Sequence, residues 1–245
     1  MAWRLPRGLP GLALVLLGAA VLAGCEGGSA SEHGHNPGPA FSAEGLWRGV
    51  VSRGGTDHEA WAVVFDGELL LGSAGNGVYD GRYRQTGETV DGALHFAGRG
   101  PDGAVDARLW VGESDLHGDL LHAGAADARA ELYFDSAWFR GAALERLAGA
   151  WADLGPGSSG VSLGIDTLGR IHGSDIAGCH YTGDAWVPLP GRNLYRVELT
   201  VETCGTLNGR YRGFATLATE STRDDRLDVL LAGPVGALDW RLRWQ

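Results

Sequence analysis

The parts of this 245-residue chain that could do chemistry are its histidines, paired carboxylates, cysteines and glycine-rich turns. His58-Glu59 opens like the His-Glu-x-x-His of zinc proteases, which needs two imidazoles one helical turn apart. The fifth position is Ala62, and the residues around it do not favour a helix. Gly98-Arg99-Gly100-Pro101-Asp102-Gly103 fits Gly-x-Gly-x-x-Gly letter by letter. It contains a proline and no helix follows to offer its N-terminus to a phosphate, so it reads as a hairpin loop. There is no Gly-x-Ser-x-Gly elbow. His117 and His122 are an odd number apart and face opposite sides of any strand. Asp224-Asp225 sits among charged residues and reads as solvated. All twenty basic residues are Arg, so Schiff-base chemistry, a P-loop lysine and a Ser-Lys dyad are excluded. These residues point to a chain that is not an enzyme and carries no cofactor and no metal.

Aromatic residues are the other candidates. His180, Tyr181, Trp186 and Tyr195 cluster on neighbouring stretches of the second half. They read either as core or as a rim for an apolar ligand, a glycan or a partner protein, since Tyr and Trp give large contact areas at low entropic cost.

The elements that must position these residues are strands. Asp66-Gly67, Asn76-Gly77, Asp80-Gly81, Asp91-Gly92, Asp102-Gly103 and Asn208-Gly209 read as turns between short apolar runs. Tyr195, Val197, Leu199 and Val201 alternate with Arg196, Glu198, Thr200 and Glu202. Leu238, Trp240, Leu242 and Trp244 alternate with Asp239, Arg241, Arg243 and Gln245. A period of two places the apolar set on one face of an antiparallel sheet and the charges in water. Ala142–Leu147 is the exception and predicts one or two helical turns. The fold expected is all-β.

The N-terminus reads as an address. Arg4 and Arg7 precede an apolar run from Gly11 to Leu22, too short for a comfortable span and right for a signal peptide. It ends in Leu22-Ala23-Gly24-Cys25, which resembles the lipobox of bacterial lipoproteins at all four positions. The resemblance implies cleavage before Cys25, a diacylglyceryl thioether on its sulfur and acylation of the new amino group. Each buried CH₂ of such chains contributes about 0.8 kcal/mol, so the anchor would be close to permanent in the lipid bilayer. Glu26 is not the Asp that retains enteric lipoproteins at the inner membrane, which points to the outer membrane. Residues 25–41, rich in Gly, Ser and Pro, read as a flexible tether. His33 and His35 in it could touch a transition metal, but two histidines on a loose tether do not make a site. Losing residues 1–24 removes two arginines and no acid, so the net charge falls from −10 to −12 and nucleic acid is excluded as a partner. Once Cys25 carries lipid, Cys179 and Cys204 remain in an oxidising compartment and are expected to form a disulfide.

Internal echoes divide the chain. Gly45-Leu46-Trp47 and Gly149-Ala150-Trp151 each open a β-rich segment, and Val63-Val64-Phe65-Asp66 is echoed by Leu163-Gly164-Ile165-Asp166. Gly81-Arg82-Tyr83-Arg84 recurs as Gly209-Arg210-Tyr211-Arg212 at a different offset. The expected organisation is a signal peptide at 1–24, a tether at 25–41, a first barrel-like domain at 42–141, a helical linker at 142–148 and a second domain at 149–245. Closing into small barrels removes the edges of each sheet. Gly-x-Trp on a first strand resembles lipocalins and other calycins. That resemblance implies an arginine from the last strand beside each tryptophan: Arg129 near Trp47, and Arg241 or Arg243 near Trp151. Halves this short leave little room for a cavity. The function expected is a binding or scaffold role at the bacterial outer membrane, facing the periplasm or the surface, with an envelope protein or small apolar ligand as partner. An inhibitor of lysozyme or a protease is the alternative, with Gly155–Gly160 as its projecting loop, and a periplasmic hydrolase stands behind it. A transmembrane barrel is the last reading, because its strands need about nine to eleven residues and most of these read as shorter.

Overall fold

The computed structural model describes residues 41–99, 102–153, 159–219 and 224–245. Cys25, His33, His35 and most of the 155–160 loop lie outside the described residues. The chain is all-β. β1 (Gly45–Arg53), β2 (Thr56–Phe65), β3 (Glu68–Ser73), β4 (Gly77–Thr86), β5 (Thr89–Gly98), β6 (Gly103–Val111), β7 (Asp115–His122) and β8 (Ala125–Phe134) form one closed antiparallel barrel. β9 (Gly149–Ala152), β10 (Ser162–Ile165), β11 (Arg170–Ser174), β12 (His180–Trp186), β13 (Tyr195–Glu202), β14 (Gly209–Thr219), β15 (Asp224–Gly233) and β16 (Gly236–Trp244) form a second. Each is an up-and-down meander whose first strand pairs with its last. A 3₁₀ turn (Ser136–Phe139) and a single helical turn, α1 (Leu144–Leu147), join them. Two tandem eight-stranded barrels fit a calycin-like small-barrel fold.

The Gly-x-Trp triplets close the barrels in the same way twice. The indole Nε1 of Trp47 donates to the Ala43 carbonyl, and that of Trp151 to the Leu147 carbonyl, both at 2.9 Å. Each ring meets an aromatic partner from the last strand edge-on: Phe134 at 5.3 Å and Trp244 at 5.1 Å. Those partners explain the glycines. A Cβ at Gly45 would lie 2.8 Å from the Phe134 ring, and one at Gly149 only 2.1 Å from the Trp244 ring. The arginines implied by the lipocalin resemblance are placed elsewhere. Arg129 points outwards to Asp119 and Glu131, Arg241 pairs with Glu59 of the first barrel, and Arg243 is exposed. The aromatic partner fills the position instead.

Two of the six turn dipeptides are not turns. Asp80-Gly81 and Asp91-Gly92 lie inside β4 and β5. A Cβ at Gly81 would sit 2.2 Å from the Ala93 carbonyl oxygen, so this glycine serves close strand approach rather than chain reversal. Nine of the sixteen described strands (β1, β2, β4, β5, β6, β8, β14, β15 and β16) run nine to eleven residues, so the expectation that most are shorter does not hold, and length does not argue against a transmembrane barrel; β4 and β5 have ten each. Their outer face carries Arg82, Arg84 and Asp91, all exposed, which is the reverse of a lipid-facing band. The Val63–Asp66 and Leu163–Asp166 echoes both end the second strand of their barrels. The Gly-Arg-Tyr-Arg echoes fall on the fourth strand of one barrel and the sixth of the other.

Both barrels belong to one compact unit. Alternation holds in β5 and β6, whose outer residues meet water, but residues 60–64 of β2 and 69–73 of β3 are buried on both faces. Their outer residues Trp61, Val63 and Leu70 join Phe214 and Leu230 of the second barrel in a shared core. Glycine lets the sheets approach. Leu230 lies over Gly72, where a Cβ would come within 2.9 Å of its Cδ1; at Gly213 a Cβ would meet the Leu230 carbonyl oxygen of its own barrel at 2.1 Å and Leu70 of the first barrel at 2.8 Å. Neither glycine has a positive φ. Space alone selects them. Gly72→Val therefore overfills the contact and should cost about 1–3 kcal/mol in chemical denaturation; an unchanged midpoint would show that the barrels do not press together there.

Candidate functional site

Charged side chains lie where the barrels meet, among them Arg196, Asp239 and Arg241, which the alternating pattern assigned to water. Arg48 on β1 reaches Asp135 and Asp228, each at 2.6 Å, and Asp228 is wholly buried with Arg226 at 2.9 Å as a second partner. Arg196 on β13 binds Glu68 at 2.5 Å. Arg241 binds Glu59 at 2.8 Å, and Asp239 accepts from Trp61 Nε1 at 3.2 Å. These pairs are part-buried, and Glu59 is largely exposed, so desolvation offsets much of their attraction and they add little net stability. Asp224, read as solvated, instead anchors the linker by accepting from Arg140, Arg146 and Thr219.

A cleft of about 760 Å³ opens where the barrels meet. The β3–β4 turn (Ser73 to Gly77), Arg99 and Asp102 of the β5–β6 hairpin, and the β15–β16 hairpin from Val235 to Arg241 line it. Ser73 and Asn76 are only 1% and 7% exposed, and Ser73 Oγ and Asn76 Nδ2 have no hydrogen-bond partner in the protein. Buried polar atoms are nearly always satisfied; of the five unpartnered ones among the described residues, these two line the cleft, and Tyr79, Arg140 and Thr216 carry the others. Burial pushes the Asp239 carboxyl above its ordinary value, with the Trp61 hydrogen bond opposing. The Arg241 hydrogen bond lowers Glu59. Burial works against the Arg241 charge, but the Glu59 hydrogen bond and field outweigh it and raise its pKa. The site is a concave, mixed polar surface outside both barrels.

The interior of the second barrel offers less. The core of the second barrel, between Leu163, Val197, Leu227 and Trp240, leaves about 10 Å³, at the lower limit for one water. A ligand of any size must bind outside that barrel.

The sequence candidates separate accordingly. Tyr181 and Tyr195 are 3% and 0% exposed and belong to the second barrel's core. Tyr181 packs on Trp240 at 5.1 Å and donates to Asp175 at 2.6 Å; the Tyr195 hydroxyl meets the Ala143 backbone. His180 and Trp186 point outwards. The four therefore make no common binding surface: β12 sends even positions out and odd positions in, which divides a sequence cluster between core and water. Cys179 and Cys204 are joined as a disulfide, with Cα atoms 4.5 Å apart. Asp175 beside them is the one grouping of potential metal ligands among the described residues, and its two sulfurs are already bonded to each other. His117 Nδ1 lies 2.6 Å from Asp115 on an open strand face beside Trp110. Of the 155–160 loop only Ser159 and Gly160 are described, and Ser159 bonds to Asp153 at the cleft margin.

The signals for the interface were the unbroken apolar runs Ala60–Phe65, Leu69–Leu71 and Val229–Leu231, since a strand buried on both faces loses its alternation. Nothing in the sequence marked Ser73 or Asn76. No family model matches the chain, and neither the curated proteins nor the solved structures compared with it contain a match.

Two outcomes follow. A carboxyl raised above its ordinary 3.8 favours the fold in its protonated form, and that stability is lost as pH rises through the shifted value. Asp239→Asn, which mimics the protonated acid, should be more stable than the wild type at pH 7 and equal to it below about pH 4. A variant less stable at pH 7 contradicts the burial described. Replacing Cys179 and Cys204 together with Ser should cost about 3 kcal/mol in chemical denaturation, because the 25-residue loop is no longer closed in the unfolded chain; an unaltered midpoint would count against it.

Proposed function

We propose that the protein is a membrane-anchored bacterial envelope lipoprotein whose fused barrels work by binding, as a receptor or scaffold, and not by catalysis. The anchor in this reading is Cys25, on the strength of Leu22-Ala23-Gly24-Cys25, and the location is the outer membrane. The observation that carries the binding role is the inter-barrel cleft. It combines a filled second-barrel interior with an external concavity whose margin holds two orphaned polar groups. Such a cleft suits a ligand or protein loop that supplies both hydrogen-bond donors and acceptors.

Mass spectrometry of the membrane-extracted protein should find diacylglycerol on Cys25, and Cys25→Ser should abolish it. An unmodified Cys25 ends the anchoring reading. For the cleft, the soluble mature chain should retain one stoichiometric partner from envelope extracts. Val235→Arg, at a half-exposed position on the cleft margin, should release it. Equal capture by both chains would remove the cleft from the account.

A further inference from the structure

A second concave surface lies at the opposite end of the first barrel. Turns of an up-and-down meander alternate ends, so the β3–β4 turn of the cleft is distal to the end where the chain enters β1. At the entry end Phe41, Phe134, Trp138, Phe139, Leu189 and Arg192 line a shallow groove of about 500 Å³. Phe139 is 62% exposed and Leu189 38%. The Arg192 guanidinium lies over both the Trp138 and Phe139 rings, at 5.9 and 5.2 Å. Tyr133, 63% exposed, stands on the last strand beside Phe134.

We infer that this end docks onto the interface of a zwitterionic phospholipid bilayer, so that the inter-barrel cleft faces away from the membrane. The inference rests on Cys25 holding the chain at a membrane. Fifteen residues separate Cys25 from Phe41. Random-coil scaling for Gly- and Ser-rich sequence of that length gives an end-to-end distance of roughly 20 Å, so in this reading an anchor at Cys25 keeps the groove at high effective concentration against the lipid. The chemistry fits an interface. Exposed aromatic rings settle at headgroup depth, and an arginine stacked on them can reach a phosphate. Glu44 and Glu113 at the groove margin repel an anionic surface, which is why the proposal commits to zwitterionic lipid.

The test supplies the anchor chemically. In the soluble chain beginning at Cys25, the disulfide leaves Cys25 as the free thiol, which can be coupled to a maleimide lipid in phosphatidylcholine nanodiscs. Hydrogen exchange is compared with the same chain capped by N-ethylmaleimide and mixed with the same nanodiscs. The coupled wild type should exchange more slowly at residues 133–140 and 189–192, with no change at 73–77. Phe139→Ser with Leu189→Ser should lose that protection while keeping the wild-type melting temperature. Unchanged exchange at both segments, protection at 73–77 instead, or a soluble dimer that protects the groove without lipid would each overturn the inference. Because the coupling does not depend on cellular acylation, an unmodified Cys25 in cells would refute the anchor alone, and unprotected segments on nanodiscs would refute the docking alone.

Discussion

A closed eight-stranded barrel hides the inner half of its side chains and leaves the outer half to water. In this chain the outer faces of β2 and β3, and the facing positions of β14 and β15, are apolar as well and must be covered. The cover is the other barrel. Leu230 over Gly72 lets the two sheets approach until only glycine fits, Leu70 lies over Gly213, and Trp61, Val63 and Phe214 fill the space around them. Once that contact forms, Arg48, Asp228, Glu68 and Arg196 lose much of their water and must pair across it. Their geometry admits one orientation. The cleft exists only because the orientation is fixed, since its two sides come from different barrels.

Within each barrel the closure has been solved twice with the same parts. A tryptophan bonds to a carbonyl four residues upstream and receives an aromatic ring from the last strand over a glycine. The barrels differ where stability is weakest. β9 and β10 have only four residues each, so the second barrel has little ladder at its opening. The Cys179–Cys204 bond, with Asp175 accepting from Cys179 and Ala177 backbone amides and from the Tyr181 hydroxyl, ties β12 to the segment that follows β13. The Asn193 side chain bonds both backbone groups of Leu217, and its own backbone amide donates to Trp138 of the linker.

Much of the architecture was legible because it depends on local pattern. Alternation in β13 and β16, the repeated Gly-x-Trp and the remaining cysteine pair all report on one strand or one barrel at a time. What was misread depends on the far side of a strand. Asp239 and Arg241 alternate with core residues as solvent-facing charges do, yet the second barrel turns that face towards the first. Asp80-Gly81 has turn chemistry but sits in a ten-residue strand, where glycine answers to a neighbouring carbonyl. Tyr181 and Trp186 are close in sequence but five residues apart on a strand, and so lie on opposite faces. Ser73 and Asn76 carry no signal because an orphaned hydrogen-bonding group is defined by its surroundings and not by its type.

The central claim is that the two barrels are one cooperative body, and that their binding surface is a product of the contact between them. Scanning calorimetry of the soluble mature chain tests this most directly. A shared core predicts a single transition whose calorimetric and van't Hoff enthalpies agree. Two resolved transitions, with one barrel melting while the other remains folded, would contradict it.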